Sequence, residues 1–154
     1  MKYLARRALT SLVFFNLLLF SLLSHAEDNT EVKAWVKRVL TETLSVSYNT
    51  QKSDFTEISK NYTFNAWNAM TDFLGGYMKN IRAKQLTVNP VFDGDPRVVK
   101  SGIYSGIHYW RVNQNVSFQE FNLYLSFSLI VLARDPSTGA SYIIQSMDIS
   151  KKTN

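Results

Sequence analysis

The chain has 154 residues, 45% of them apolar and 19% charged, which is the balance of a folded domain. It contains no cysteine, and this excludes a disulfide scaffold, a cysteine-ligated zinc or iron–sulfur site and a thiol enzyme. Lys and Arg number 17 against 12 Asp and Glu, a formal net charge of +5 that invites a nucleic-acid reading until the position of the charges is considered.

Lys2, Arg6 and Arg7 precede an apolar run from Ala8 to Leu23, and Ser24-His25-Ala26 follows with small residues before Glu27-Asp28. A basic start, an apolar middle and an A-x-A-like end predict an export signal, residues 1–26, cleaved after Ala26. The competing reading is an uncleaved membrane anchor. The run at 8–23 is interrupted by Thr10, Ser11, Asn16 and Ser21 and falls short of the roughly 20 apolar residues that span a bilayer. Removing residues 1–26 leaves 14 basic and 12 acidic residues, a net of +2, so no nucleic-acid partner is expected. Membrane association is expected only if 8–23 is retained. An exported chain without cysteine fits a bacterial periplasm, where the sequons at Asn61 and Asn115 carry no meaning.

Val32, Trp35, Val36, Val39, Leu40, Thr43 and Leu44 follow helical spacing, with Asp28 and Glu31 as a capping box, and predict a helix of about five turns reaching Tyr48. Ser53 is placed to cap a short helix bearing Phe55, Ile58 and Tyr62. Thr63 is placed to cap another, with Phe64, Trp67, Met70, Leu74 and Tyr77 on its apolar stripe. Gly75-Gly76 is expected to end or kink that helix, with Met78 to Lys84 adding one or two turns.

Beyond Gln85 the period becomes two. Leu86, Val88 and Val91 begin a strand that Pro90 confines to an edge or bulge. Asp93-Gly94-Asp95-Pro96 reads as a turn, and 97–104 and 106–118 as strands. Phe121, Leu123, Leu125, Phe127, Leu129, Val131 and Ala133 alternate with polar positions, the pattern of a half-buried antiparallel strand. Asp135 to Gly139 suits a turn, 142–149 the returning strand and 151–154 a polar tail. The expected architecture is α+β: N-terminal helices packed on a bent antiparallel sheet of about four strands, a cone with Gly102 and Gly106 as bend points, occupying residues 27–150.

Candidate chemistry is sparse. His108, the only histidine of the mature chain, has no carboxylate or nucleophile at useful spacing, so a structural or surface role is favoured. Asp93 and Asp95 lack the further oxygens of a calcium loop and suit a turn. Lys79, Arg82 and Lys84 form a basic patch that complements a helix end; contact with acidic lipid is the less favoured reading. Tyr48, Tyr62, Trp67 and Tyr77, with Asp54 or Asp72, have the residue types of a ligand cavity or an isomerase site, but helical spacing favours plain core. No cofactor, metal or catalytic group is expected.

Tyr62-Thr63-Phe64-Asn65-Ala66-Trp67 resembles the F-T-x-x-G-W box of the IcmL/DotI family of type IVB (Dot/Icm) secretion components. Trp35-Val36 and the Tyr48 region resemble its first helix. Ala83-Lys84-Gln85-Leu86-Thr87-Val88 is similar to its A-K-K-L-x-V segment and Pro90-Val91 to its P-V step. Tyr109-Trp110-Arg111-Val112 is similar to its W-K-V strand, and 142–145 to its closing strand. The resemblance spans about residues 30–150, with Ala66 in place of the box glycine and Asn115 in place of a proline. It implies a VirB-type, NTF2-like periplasmic domain without enzymatic activity, whose motif residues Trp35, Tyr62, Thr63, Trp67, Leu86, Pro90 and Trp110 are mainly structural. It also implies protein partners in a secretion complex, a membrane-anchored paralogue or a second copy, with exposed residues of 108–118 as the first candidate interface. Family members keep a membrane helix, whereas this chain carries the pattern of a cleavable signal. The second functional reading is a periplasmic binder of a small ligand, or less favourably an enzyme, using the cone cavity.

Overall fold

The computed structural model describes residues 29–135, 137 and 141–152. The expected export signal, its cleavage point, Asp28 and most of the 135–139 turn lie outside these residues. Helix α1 spans Thr30–Leu44, shorter than the expected five turns, and buries Val32, Val36, Val39, Leu40, Thr43 and Leu44. It begins at Asn29, whose side chain does not cap it. It stops at Ser45 because the chain turns extended to form β1 (Val46–Ser47), which pairs with β2 (Thr87–Val88). This two-residue ribbon ties the end of the first helix to the segment after the second.

The expected Ser53 helix is instead two 3-10 turns, Lys52–Phe55 and Ile58–Asn61, and the capping box belongs to Gln51 and Asp54. Tyr62 follows in extended conformation, so Phe55, Ile58 and Tyr62 share no helix face. Helix α2 spans Phe64–Ala83, with Thr63 as N-cap accepting from the Ala66 N–H. Its buried stripe is Ala66, Met70, Leu74 and Ile81, whereas Phe64 points to solvent at 78% exposure. Gly75 and Gly76 do not end it. Both face open space, and packing of Leu74, Met78 and Ile81 against the core carries the helix across them. The helix stops at Ala83, well beyond them, in a Schellman motif. Gln85 takes a left-handed φ of 52°, its N–H donates to the Arg82 carbonyl, and the Leu86 N–H donates to the Ile81 carbonyl at 2.9 Å.

The sheet comprises β3 (Val91–Phe92), β4 (Arg97–Tyr104), β5 (Ile107–Phe118), β6 (Leu123–Ala133) and β7 (Tyr142–Lys151), all antiparallel. β3 and β4 pair with successive parts of the same edge of β5, so five strands make a sheet four strands wide, and the Asp93–Pro96 turn interrupts its outer edge. Pro90 separates β2 from β3, which belong to different sheets, so Leu86, Val88 and Val91 are not one strand. Phe121 sits in a 3-10 turn (Gln119–Phe121) closed by left-handed Asn122, and the alternation starts at Leu123. Lys151, expected in the tail, pairs with Leu125.

The sheet bends elsewhere than expected. The register slips between Val98 and Lys100 against β5, and between Ile130 and Val131 against β7, so Val99 and Gln145 are the bulged residues. Gly106 and Ser105 both have positive φ and form the two-residue β4–β5 turn. Gly102 lies under the Tyr109 ring, 3.3 Å from where a Cβ would stand. Val112, Val116, Leu125, Phe127, Leu129, Val131 and Ile144 line the inner face and are almost fully buried against α1 and α2. Helices on one face of a bent antiparallel sheet make an α+β cone of the NTF2-like kind.

Candidate interaction surface

The motif residues are spread over several structural tasks. At the junction of α2 with β7, the Thr63 N–H donates to the Ile144 carbonyl and its hydroxyl donates to the Gln145 carbonyl at 2.7 Å. Tyr62 is 5% exposed and its hydroxyl lies 2.7 Å from Thr43 Oγ1. Thr43 donates to the Val39 carbonyl, so Tyr62 is the donor of the pair. Burial raises the pKa of the Tyr62 phenol well above its usual range. Trp67 is wedged between the rings of Tyr62 and Phe55 at 5.4 and 5.8 Å. A second cluster joins Trp35, Tyr142, Trp110 and His108. Tyr142 contacts both tryptophans, and His108 stacks on Trp110 at 4.0 Å. Partial burial, with Glu31 nearby, raises the pKa of Tyr142. Leu86 completes the stop of α2, and Pro90 breaks the chain between β2 and β3.

The cavity candidates do not converge. Tyr48 is exposed, Tyr62 is core, and Tyr77 packs against Phe73 and Phe121. The hollow nearest the cone interior is about 20 Å³, lined by Phe73, Leu74, Tyr77, Ile81, Phe118 and Phe121 among others. That holds about one water, against the roughly 300 Å³ or more of a small-molecule site. Asp54 caps a 3-10 turn and Asp72 is exposed on α2. Asp95 pairs with Lys37 at 2.8 Å, which holds its carboxyl below the usual range. Among the described residues no cluster of three or more His, Asp or Glu is arranged to hold a metal. Lys79, Arg82 and Lys84 are exposed around the end of α2, where Arg82 reaches the Thr50 carbonyl.

What remains is the outer face of the sheet, over which no described helix packs. Strand β5 turns Trp110, Val112, Gln114, Val116 and Phe118 inward and Tyr109, Arg111, Asn113, Asn115 and Ser117 outward. Strand β6 presents Tyr124, Ser126, Ser128, Ile130 and Leu132 on the same outer side. The face is polar where Asn113 and Asn115 stand opposite Ser128 and Ser126, and apolar where Tyr109 stands opposite Leu132. The apolar end opens into a groove of about 420 Å³ formed by Tyr104, Ile107, Tyr109, Ile130 and Leu132. The outward members of 108–118 are thus divided between two chemically different surfaces, and Arg111 alone among them is exposed.

Sequence reasoning missed Gln114. It is 2% exposed in an otherwise apolar inward series, and its Nε2 donates to the Asn115 carbonyl at 2.7 Å and reaches the Gly94 carbonyl at 3.5 Å. It stands beside the Asp93–Pro96 turn, where its side-chain amide is a second donor to the Asn115 carbonyl, which also accepts the Asp93 N–H at 3.1 Å. The single polar residue in the Trp110-to-Phe118 series was the available signal.

The domain is an α+β cone whose inner hollow is about 20 Å³ and whose outer sheet face no described helix covers. The family model described as "Type-IV b secretion system, inner-membrane complex component", DotI/IcmL, matches residues 17–119, and the chain belongs to that family. Among solved structures, the chain is similar to the periplasmic domain of DotI, with TM-score 0.68 and 15% identity over 82% of this chain and 98% of that one. It is also similar to a periplasmic fragment of TraM, with TM-score 0.67 and 14% identity over 82% and 99%. An IcmL-like type IV secretion protein from Legionella pneumophila subsp. pneumophila strain Philadelphia 1 aligns with TM-score 0.64 and 15% identity over 82% and 95%. No protein of curated function matches the chain.

Proposed function

We propose that this chain is an exported, periplasm-facing assembly protein of a type IVB secretion inner-membrane complex, acting by protein contact and not by catalysis. Family membership carries the reading. Two features support contact over chemistry: the cone interior is packed apolar side chain, and the uncovered outer sheet face offers adjacent polar and apolar areas. The small-ligand alternative loses support from that filled interior. The motif residues act in this reading by fixing the scaffold, and residues 1–26 act as a signal cleaved after Ala26. Partners are other components of the complex, a membrane-anchored paralogue or a second copy.

The test is affinity capture of the tagged full-length chain from crosslinked envelopes of a strain carrying the secretion system, with mass determination of the captured chain's N-terminus. Recovery of inner-membrane secretion components and a start at Glu27 are expected. Capture of no secretion component would overturn the assembly role. A chain starting at Met1 in the membrane fraction would replace export and release with anchoring.

A further inference from the structure

The β4–β5 hairpin has features that a scaffold role does not require. Ile103 and Tyr104 are neighbours on one strand, so their side chains point to opposite faces, yet they are 74% and 77% exposed. Ile107 across the turn is 46% exposed. A tip apolar on both faces and bare on both stands clear of the body of the protein, whereas a flat docking face would leave only one side bare.

The charge pattern of the hairpin is one-sided. Residues 97–118 contain Arg97, Lys100 and Arg111 and no acidic residue. Lys100 and Arg111 lie directly opposite each other, both exposed. Like charges on facing positions cost stability unless an anion lies between or beside them. The cationic rung is four residues behind the Tyr104–Ile107 rung, about 13 Å at strand rise. Asn29, the first described residue, accepts from Trp110 Nε1 at 2.9 Å, so the described chain begins beside this same hairpin.

We infer that the β4–β5 hairpin is a membrane-surface finger, which inserts Ile103, Tyr104 and Ile107 into the headgroup–acyl boundary of an anionic bilayer while Lys100 and Arg111 engage lipid phosphates. Interfacial segments enter about 5–10 Å, and long cationic side chains reach forward to the headgroups, so the 13 Å spacing fits. Tyrosine at the tip suits the interface, where the ring is apolar and the hydroxyl stays wet. The finger would hold the domain against the membrane with or without a retained N-terminal segment.

The experiment uses residues 27–154, since the same fold stands alone as an isolated periplasmic domain in DotI and as a fragment in TraM. Sedimentation with vesicles of 30% phosphatidylglycerol in phosphatidylethanolamine should show binding that weakens as salt rises. Ile103→Ser with Tyr104→Ser should weaken it at least tenfold. Lys100→Gln with Arg111→Gln should weaken it about tenfold and flatten the salt dependence. All four positions are exposed, so melting temperatures should not fall, and removing the facing like charges should if anything raise them. Several results overturn the inference: no binding by the parent chain, equal binding to pure phosphatidylcholine, or hairpin variants that bind normally while Lys79→Gln, Arg82→Gln and Lys84→Gln abolish binding. Sedimentation equilibrium separates the remaining occupant. A concentration-dependent dimer lost in Ile103→Ser/Tyr104→Ser, without vesicle binding, would make the hairpin a contact between copies instead.

Discussion

The Tyr62–Thr43 pair gives a direct measure of how the helical layer is held. Both hydroxyls are buried and 2.7 Å apart, and the Thr43 O–H donates to the Val39 carbonyl at 2.7 Å. Tyr62→Phe removes the donor and leaves Thr43 still bonded to Val39, so the cost is that of one net hydrogen bond, about 1 kcal/mol. Thr43→Val removes the acceptor and strands the Tyr62 O–H in an apolar interior, at about 2 kcal/mol. The Val39 carbonyl keeps its helical N–H partner. Combining the two replaces a matched polar pair with a matched apolar one, and the total should be about 1 kcal/mol rather than the sum of about 3. Urea unfolding at pH 7, followed by tryptophan fluorescence, resolves a coupling of about 2 kcal/mol. A double variant that loses the full sum would refute the reasoning, because it would mean that the hydroxyls do not serve each other.

Other residues give three further expectations. Burial favours neutral Tyr62 in the fold while the unfolded phenol ionises near pH 10, so this contribution is intact below about pH 10 and is lost above it at about 1.4 kcal/mol per pH unit; Tyr62→Phe should remove that much of the alkaline slope in denaturant titrations, leaving the part due to Tyr142. Gln85→Gly should raise stability by about 0.5–1 kcal/mol, because Gln85 holds the left-handed φ of 52° that ends α2, and a lower melting temperature would show that its side chain matters more than its backbone. Ala66→Gly, which installs the glycine of the family box, should cost about 1–2 kcal/mol in helix propensity and buried methyl, since Ala66 is 1% exposed within the first turn of α2.

The sheet was far more legible in the sequence than the helices. Strand β4 falls on 97–104 as read, and β5 differs only in yielding Gly106 to the turn, because side-chain alternation reports directly which face is buried. The helical half misled wherever a local signal competed with a distant contact. Gly75-Gly76 has the composition of a helix stop, but the stop is made at Gln85 by hydrogen bonds to Ile81 and Arg82. Phe64 has the spacing of a core residue and the first-turn position of an exposed one. The ring Trp35–Tyr142–Trp110 joins three distant segments, so no local window contains it. The outer-face surface was legible only as alternation, because its division into polar and apolar ends depends on the register of β5 with β6. The bare hairpin tip was invisible, since exposure on both faces is a property of where the helices end.

The reach of the family match follows from the same physics. It stops at residue 119, yet the fold continues through β6 and β7, which supply Phe127, Leu129, Val131 and Ile144 to the core. Tyr62 and Thr63 make their long-range bonds to β7 through backbone groups: a parallel bridge at Ile144, the Ile144 carbonyl and the Gln145 carbonyl. A backbone partner must be in the right place but places little demand on side-chain identity beyond an apolar inward residue. The box therefore holds β7 by backbone position and makes little demand on that strand's side chains. That allows identity of 14–15% alongside structural overlap of 82% of the chain. The Thr63 hydroxyl, which caps α2 and also bonds β7, is the residue at which helix layer and sheet are registered to each other.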